Sequence, residues 1–182
     1  MQKLFKKYIL YVTVLAFLFV ACNELTEDAT TPKESTSDYS ILTINLTDAP
    51  GDYEEVNIDI QTISAQLLDS TWVDFTTNSG IYDLLTLQNG IDTTIVKDSL
   101  SKGSRITQLR LILGDSNNVK VDSGYYSLKV PSGSTSGFKI QFSDTLSTDS
   151  LNLLLDFDAE KSIVQQGNQN RYLLKPVLKV IK

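Results

Sequence analysis

Apolar and polar side chains alternate over most of the chain beyond residue 39, and this two-residue period limits the fold more than any other feature. The clearest example is a run in which Phe138, Ile140 and Phe142 are separated by Lys139 and Gln141. Successive side chains of an extended strand point to opposite faces, so this run predicts a strand with one buried face. Comparable runs place their apolar residues at Leu42, Ile44, Leu46; Val56, Ile58, Ile60; Leu109, Leu111, Leu113; Tyr126, Leu128, Val130; Leu151, Leu153, Leu155, Phe157; and Tyr172, Leu174, Leu178, Val180.

Turn-forming residues separate these runs at short intervals, as in Ala49-Pro50-Gly51-Asp52 and Gln88-Asn89-Gly90. Short strands at this spacing predict a single all-β domain, an antiparallel β-sandwich over residues 39–182. The apolar faces of such strands must cover each other, because neither is stable in water. We therefore expect the core to include Leu42, Ile44, Leu46, Leu109, Leu111, Phe138, Ile140, Phe142, Leu153, Leu155 and Leu178.

Irregularities in the pattern predict three local features. The apolar phase slips by one residue between Ile60 and Ile63, which predicts a β-bulge near Gln61-Thr62. Only the stretch from Ala159 to Val164 suggests a helical turn. Pro176 lies inside the last run and cannot donate a ladder hydrogen bond, so that strand is expected to lie at an edge or to carry a bulge.

The composition excludes several classes of function. The 182 residues contain no histidine and one cysteine, which excludes Ser-His-Asp and Cys-His nucleophiles, His-rich metal sites and an internal disulfide. Lysine and arginine total 16 against 22 aspartate and glutamate, a net charge of −6 that argues against nucleic-acid binding. We predict that the protein is not an enzyme.

The N-terminus has the layout of a secretory signal. Lys3, Lys6 and Lys7 precede an uncharged, mostly apolar stretch over residues 8–21, and Cys22 follows it. The stretch is shorter than the roughly 20 residues that a membrane-spanning helix needs. The segment Phe19-Val20-Ala21-Cys22 resembles the lipobox of bacterial lipoproteins, which implies cleavage after residue 21 and acylation of Cys22. The alternative is an ordinary cysteine in an uncleaved signal anchor.

The segment after Cys22 is predicted to be a tether. Residues 22–38 are rich in Thr, Ser and acids and offer almost nothing to a core. Their acidic start also resembles the surface-export signal of some Gram-negative lipoproteins, and a plain solvated linker explains them equally well. Removal of residues 1–21 takes away three lysines and leaves 13 basic and 22 acidic residues, a net charge of −9. Anionic lipid repels such a surface, so acyl chains must provide the anchor.

Six short motifs follow one another along the chain: Leu46-Thr47-Asp48-Ala49-Pro50, the segment from Tyr82 to Gly90, Ile106 to Leu111, Val130 to Gly133, Leu155-Asp156-Phe157-Asp158-Ala159 and Leu174-Lys175-Pro176-Val177. Together they resemble a domain family of unknown function found in bacterial, largely Gram-negative, lipoproteins. The resemblance implies a lipid-anchored, prealbumin-like or immunoglobulin-like sandwich at the outer membrane, on the periplasmic or the cell-surface side. The family offers no catalytic residues to transfer.

Four acidic residues are weak candidates for a metal site, with calcium as the suitable ion. Asp156 and Asp158 are two positions apart in a predicted strand, so their carboxylates are expected to share a face. That pair is open to three interpretations: a solvated face, metal ligands or acid catalysis. Asp48 and Asp52 flank the Ala-Pro-Gly turn, where oxygen ligands suit Ca²⁺. Asp48 alternatively closes the turn by accepting backbone hydrogen bonds.

Two aromatic residues are weak candidates for ligand binding. Trp72 is the only tryptophan, and Tyr125-Tyr126 should place one ring on each face of a strand. Exposed rings can stack on sugars, whereas buried ones anchor a core. The sequence therefore favours a non-catalytic surface module that recognises a glycan or a protein. The alternative is a structural or accessory lipoprotein of an envelope complex that binds no small ligand.

Overall fold

The computed structural model describes residues 37–131, 136–167 and 170–181. The predicted signal peptide, Cys22 and the predicted tether as far as residue 36 lie outside these ranges. The described ranges belong to one compact unit that begins at Ser37. No helix within them has the length and apolar character to cross a membrane.

The described residues are mostly β, as the alternation predicts. The strands are β1 (Tyr39–Thr47), β2 (Glu55–Leu67), β3 (Trp72–Asp74), β4 (Gly80–Asp83), β5 (Thr93–Ser101), β6 (Arg105–Leu113), β7 (Asn118–Val121), β8 (Gly124–Lys129), β9 (Phe138–Thr145), β10 (Ser150–Phe157), β11 (Ile163–Gln165), β12 (Tyr172–Leu174) and β13 (Leu178–Ile181). A 3-10 helix covers Leu84–Leu87, and one helical turn, α1, covers Ala159–Ser162. The predicted turn near Ala159 is thus confirmed.

The strands form two mixed sheets, and the prediction of a purely antiparallel fold is wrong. The smaller sheet has the order β13-β10-β1-β5, and β1 pairs with β10 in parallel, with Ile44 opposite Leu153. In the larger sheet β12 and β8 are also parallel. Alternation shows only which side chains share a face of one strand, so it carries no information about the direction of a distant partner strand.

The larger sheet is organised around β2. Its strand order is β11-β12-β8-β7-β2-β6-β9, and β3 and β4 also pair with β2. On one side of β2, β7 pairs with the first residues and β6 with the remainder. The register between β2 and β6 moves from Ile60 opposite Leu113 to Thr62 opposite Ile112, which leaves Gln61 as an extra residue. The predicted bulge is confirmed at this residue.

Both sheets contribute to one hydrophobic cluster. Eight predicted core residues are buried in it, namely Leu42, Ile44, Leu46, Leu109, Leu111, Ile140, Leu153 and Leu155. Phe138, Phe142 and Leu178 pack against the cluster but stay partly exposed, because β9 and β13 lie at sheet edges. The largest side chain with no exposed surface is Phe157, at the end of β10.

The last predicted strand is two strands in different sheets. β12 belongs to the larger sheet and β13 to the smaller one, and Pro176 lies in the three-residue connection between them. The interpretation of Pro176 as an interruption within one strand is therefore wrong. A residue without a backbone N–H suits a connection where the chain leaves one hydrogen-bonded ladder for another.

Candidate functional site

The outer face of the larger sheet carries a row of polar side chains around Tyr125. Val56 and Ile58 point into the core, so Asn57 between them points outward. Asn57 lies opposite Asn118 of β7, and Asn118 lies opposite Ser127 of β8. We call the surface formed by Asn57, Ile81, Asn118, Tyr125 and Ser127 the Tyr125 face.

Hydrogen bonds hold Tyr125 in a fixed orientation. Its hydroxyl donates to Oε2 of Glu55 at 2.8 Å, while the ring itself stays 60% exposed. Asn57 Nδ2 donates to Oε1 of the same Glu55 at 2.6 Å. The bonds from Asn57 and Tyr125 lower the pKa of the Glu55 carboxyl, and the bond to Glu55 raises the pKa of the Tyr125 phenol. Tyr125 therefore presents an ordered aromatic ring to solvent.

The amides beside the ring keep unused hydrogen-bonding groups. Asn57 Nδ2 also donates to Oδ1 of Asn118 at 3.0 Å, so both of its protons are engaged. Among the described residues, no group hydrogen-bonds to Asn57 Oδ1 or to Asn118 Nδ2, which leaves one acceptor and one donor group for a ligand. The exposed Ser127 hydroxyl adds a group that can serve as either.

The loop between β6 and β7 forms one wall of the Tyr125 face and is rigidly attached to Asp59. Gly114 N donates to the Asp59 carbonyl at 2.8 Å, and Ser116 N donates to Asp59 Oδ2 at 3.2 Å. Asn117 Oδ1 accepts from Asp59 N at 2.9 Å, and Asn117 Nδ2 donates to the Gly114 carbonyl at 2.7 Å. These four bonds fix the exposed Asp115 and Ser116 before any ligand arrives, which lowers the entropy cost of binding.

A side chain at position 114 of this loop would collide with the side chains of Asp59 and Gln61. A Cβ atom at Gly114 would lie 2.1 Å from Asp59 Oδ2 and 2.9 Å from Gln61 Nε2. Any side chain would therefore displace the Asp59 carboxylate that holds Ser116. Glycine at position 114 therefore allows the loop to approach Asp59 closely.

A shallow depression of about 420 Å³ lies on the Tyr125 face, between the β6–β7 loop and the Tyr125 ring. Its lining combines the Tyr125 ring and Ile81 with three asparagines, Ser127 and the two exposed loop residues. Tyr126 has its ring on the opposite side of β8, 5.4 Å from the ring of Tyr172. The prediction that Tyr125 and Tyr126 point to opposite faces is confirmed.

Trp72 lies elsewhere, on the outer face around β3. It is half-buried, and the guanidinium carbon of Arg110 stands 4.3 Å from its ring centroid. Arg110 Nη2 also lies 3.5 Å from Asp74 Oδ1 and 3.3 Å from Ser64 Oγ. The guanidinium covers one face of the indole, so Trp72 has less open aromatic surface for a ligand than Tyr125.

Three of the four predicted acidic residues come together where the parallel strands β1 and β10 end. Asp48 follows β1 and is 5% exposed; its Oδ1 accepts from Ala159 N at 2.8 Å and its Oδ2 from Gln88 Nε2 at 3.1 Å. Burial, with smaller effects of Asp156 and Asp158, raises the pKa of Asp48 to about 6. Asp48 thus accepts one backbone hydrogen bond, from the distant Ala159 and not from its own turn, and one bond from the Gln88 side chain.

The prediction that Asp156 and Asp158 share a strand face is wrong. β10 ends at Phe157, and Asp158 is the N-cap of α1, where Oδ1 accepts from Lys161 N at 3.0 Å. This bond and the contact with Lys161 lower the pKa of Asp158, whereas burial raises that of Asp156. In the part of the chain that the structure describes, no group of three or more acidic or cysteine side chains is arranged to hold a metal ion. Calcium binding, including any role for Asp52, stays a prediction.

Comparison with known proteins assigns the chain to a family. The family model described as a domain of unknown function, DUF4382, matches residues 40–176. The chain belongs to the DUF4382 family. Neither the curated proteins nor the solved structures contain a match.

The DUF4382 match runs from β1 to the connection before β13 and includes the whole Tyr125 face. The sequence pattern made Tyr125 a weak candidate for ligand binding in this DUF4382 domain and did not point to Asn57, Asn118, Asp115 or Ser127 beside it. The alternation around Asn57 places that side chain outward, but only the pairing of β2 with β7 brings it to Asn118.

Proposed function

We propose that the domain is a non-catalytic module that binds a glycan on the Tyr125 face. The observation that carries this proposal is an exposed, hydrogen-bonded tyrosine beside the unengaged Oδ1 of Asn57 and Nδ2 of Asn118. A sugar offers an apolar C–H face that packs on an aromatic ring and hydroxyls that both donate and accept. An aromatic surface can pack against the apolar face of the sugar, and a small set of fixed polar groups beside it can bond to the hydroxyls.

The protonation states of the carboxyls favour binding over catalysis. The pKa of Glu55 is lowered, so this carboxyl is ionised at neutral pH and unsuited to act as a general acid. The pKa of Asp48 is raised to about 6, a value that suits acid–base chemistry, but Asp48 is 5% exposed and engaged with Ala159 and Gln88. A substrate has no access to that group.

Replacement of Tyr125 tests the proposal. We expect Tyr125→Ala to weaken binding to the recognised glycan at least about fivefold, because truncating an aromatic residue at the centre of a binding surface costs more than about 1 kcal/mol. The measurement is a screen of the soluble domain from Ser37 against immobilised polysaccharides, followed by calorimetric titration of those retained.

Tyr39→Ala is the matched control, because Tyr39 is 57% exposed on β1 of the other sheet. It should bind like the wild type. Equal binding by wild type and Tyr125→Ala would show that the ligand binds elsewhere than on the Tyr125 face. Retention of no polysaccharide at all would reject glycan recognition in favour of the structural or accessory role.

We also propose that the mature protein is anchored at the outer membrane through acylated Cys22, after removal of residues 1–21. The support is the sequence pattern of the leader and the single cysteine. Labelled fatty acid should enter the wild type and be absent from Cys22→Ala, which should also migrate as the uncleaved precursor. Equal labelling of the two proteins would contradict the anchor.

For the fold, we propose a β-sandwich of the prealbumin-like or immunoglobulin-like kind. The contribution of both sheets to one hydrophobic cluster supports it.

A further inference from the structure

A second depression adjoins the first along β8. It has a volume of about 240 Å³ and is lined in part by Gly114, Lys129 and Val130. Asp115, Asn117 and Ser127 line both depressions. The two are therefore neighbouring parts of one surface, with Ser127 at their junction.

The outer residues of β8 connect the two depressions in a line. Tyr125, Ser127 and Lys129 are two positions apart, all exposed and all on the outer face. At about 3.3 Å per residue, the line from Tyr125 to Lys129 spans roughly 13 Å. A single pyranose ring is shorter than this line, whereas a short chain of linked sugars can follow it.

We infer that the Tyr125 face binds a chain of at least two linked, uncharged sugar units that runs from Tyr125 across Ser127 to Lys129. This inference rests on the proposed glycan-binding function and specifies its ligand. The fixed β6–β7 loop borders the path on one side, with Asp115 beside both depressions.

The charges around the path disfavour an acidic chain. Glu54, Glu55 and Asp115 lie on or beside the Tyr125 face. Two lysines oppose these three carboxylates: Lys129 at the end of the path, and Lys120, whose Nζ lies 5.8 Å from the Tyr125 ring centroid and is paired with Glu54 Oε2 at 3.3 Å. Sugars that carry carboxylate or sulfate groups would meet more negative than positive charge at close range, and like charges at an interface reduce affinity.

A length series tests the extended path. The probes are glucose, xylose and mannose with their disaccharides and tetrasaccharides, titrated into the soluble domain from Ser37. We expect the tetrasaccharide of the recognised sugar to bind at least about tenfold more tightly than its monosaccharide. Lys129→Ala should weaken tetrasaccharide binding about threefold to tenfold, as expected for the loss of one hydrogen bond, and leave monosaccharide binding unchanged. Lys97→Ala, an exposed lysine on β5, is the matched control and should bind like the wild type.

A polysaccharide panel separates the possible failures. We expect the domain to retain at least one of the neutral polymers xylan, glucan and mannan. We expect it to retain neither polygalacturonate nor heparin, which are acidic. Equal affinity for monosaccharide and tetrasaccharide, or an unaffected Lys129→Ala, would overturn the extended path while glycan recognition stands. Retention of the acidic polymers alone would contradict the inference that the ligand is uncharged. If no sugar in either set binds, the proposed function fails and this inference fails with it.

Discussion

Replacing Phe157 by alanine is expected to lower the free energy of unfolding by about 3–5 kcal/mol, because the change leaves a cavity where a whole ring was packed. Phe157 has no exposed surface and ends β10 opposite Leu178 of β13. It belongs to the cluster that both sheets share. Chemical denaturation of the domain from Ser37 measures the change, which is a large part of the 5–15 kcal/mol typical of a domain.

Tyr39→Ala is again the control, since it removes a similar volume from an exposed position in the same sheet. Its effect should stay within about 0.5 kcal/mol. Similar losses for the two variants would mean that Phe157 does not occupy the interior, and the shared core would have to be redrawn.

Asp48→Asn is expected to change how stability depends on pH. The folded protein raises the pKa of Asp48 from 3.8 to about 6, so it binds this proton more tightly than the unfolded chain does. The stabilisation that the protonated group gives at pH below about 4 is therefore lost as the pH rises through 6. At 1.36 kcal/mol per pKa unit the loss amounts to roughly 3 kcal/mol. Asparagine does not titrate, so the variant should gain stability relative to the wild type by about this amount between pH 4 and pH 7.

Asp98→Asn is a control for which the pH dependence of stability should change in the opposite direction. Backbone hydrogen bonds, chiefly from Thr76, lower the pKa of Asp98. Its stabilisation is present at neutral pH and is lost in acid, so Asp98→Asn should lose stability relative to the wild type as the pH rises. Unfolding curves at several pH values between 3 and 8 measure both effects. A constant difference between Asp48→Asn and wild type across this range would refute the raised pKa.

Local features of the fold were predictable because they depend on neighbours in sequence. The outward direction of Tyr125 and the bulge at Gln61 follow from the alternation within one strand. The parallel pairing of Ile44 with Leu153 joins residues more than a hundred positions apart, and nothing in either strand encodes it. The meeting of Asp48 with Asp158 depends on that pairing, so it could not be predicted either.

The candidate site shows the same limit. Asn57 and Asn118 each face outward by alternation. Their hydrogen bond, however, also requires β7 to pair with the first residues of β2, beyond the part of β2 that pairs with β6. From the sequence alone, Trp72 is as good a candidate for ligand binding as Tyr125, because the sequence does not show that Arg110 lies against the indole. β3 and β6 both pair with β2 at Ser64, on opposite sides, and this brings Arg110 over the indole.

The length of β2 separates the Tyr125 face from the point where the chain enters the domain. Asn57 lies near the start of β2 and Leu67 at its end, a span of about 30 Å along the strand. The entry point lies at the Leu67 end, because Lys102 N bonds to the Asp38 carbonyl and Leu68 N bonds to the Arg105 carbonyl. The Tyr125 face, to which we assign the proposed glycan binding, therefore lies at the end of β2 opposite the first residues of the domain. With Cys22 as the proposed attachment, the proposed glycan would be bound at the end of the domain remote from Ser37, where its length would not be limited by the attachment.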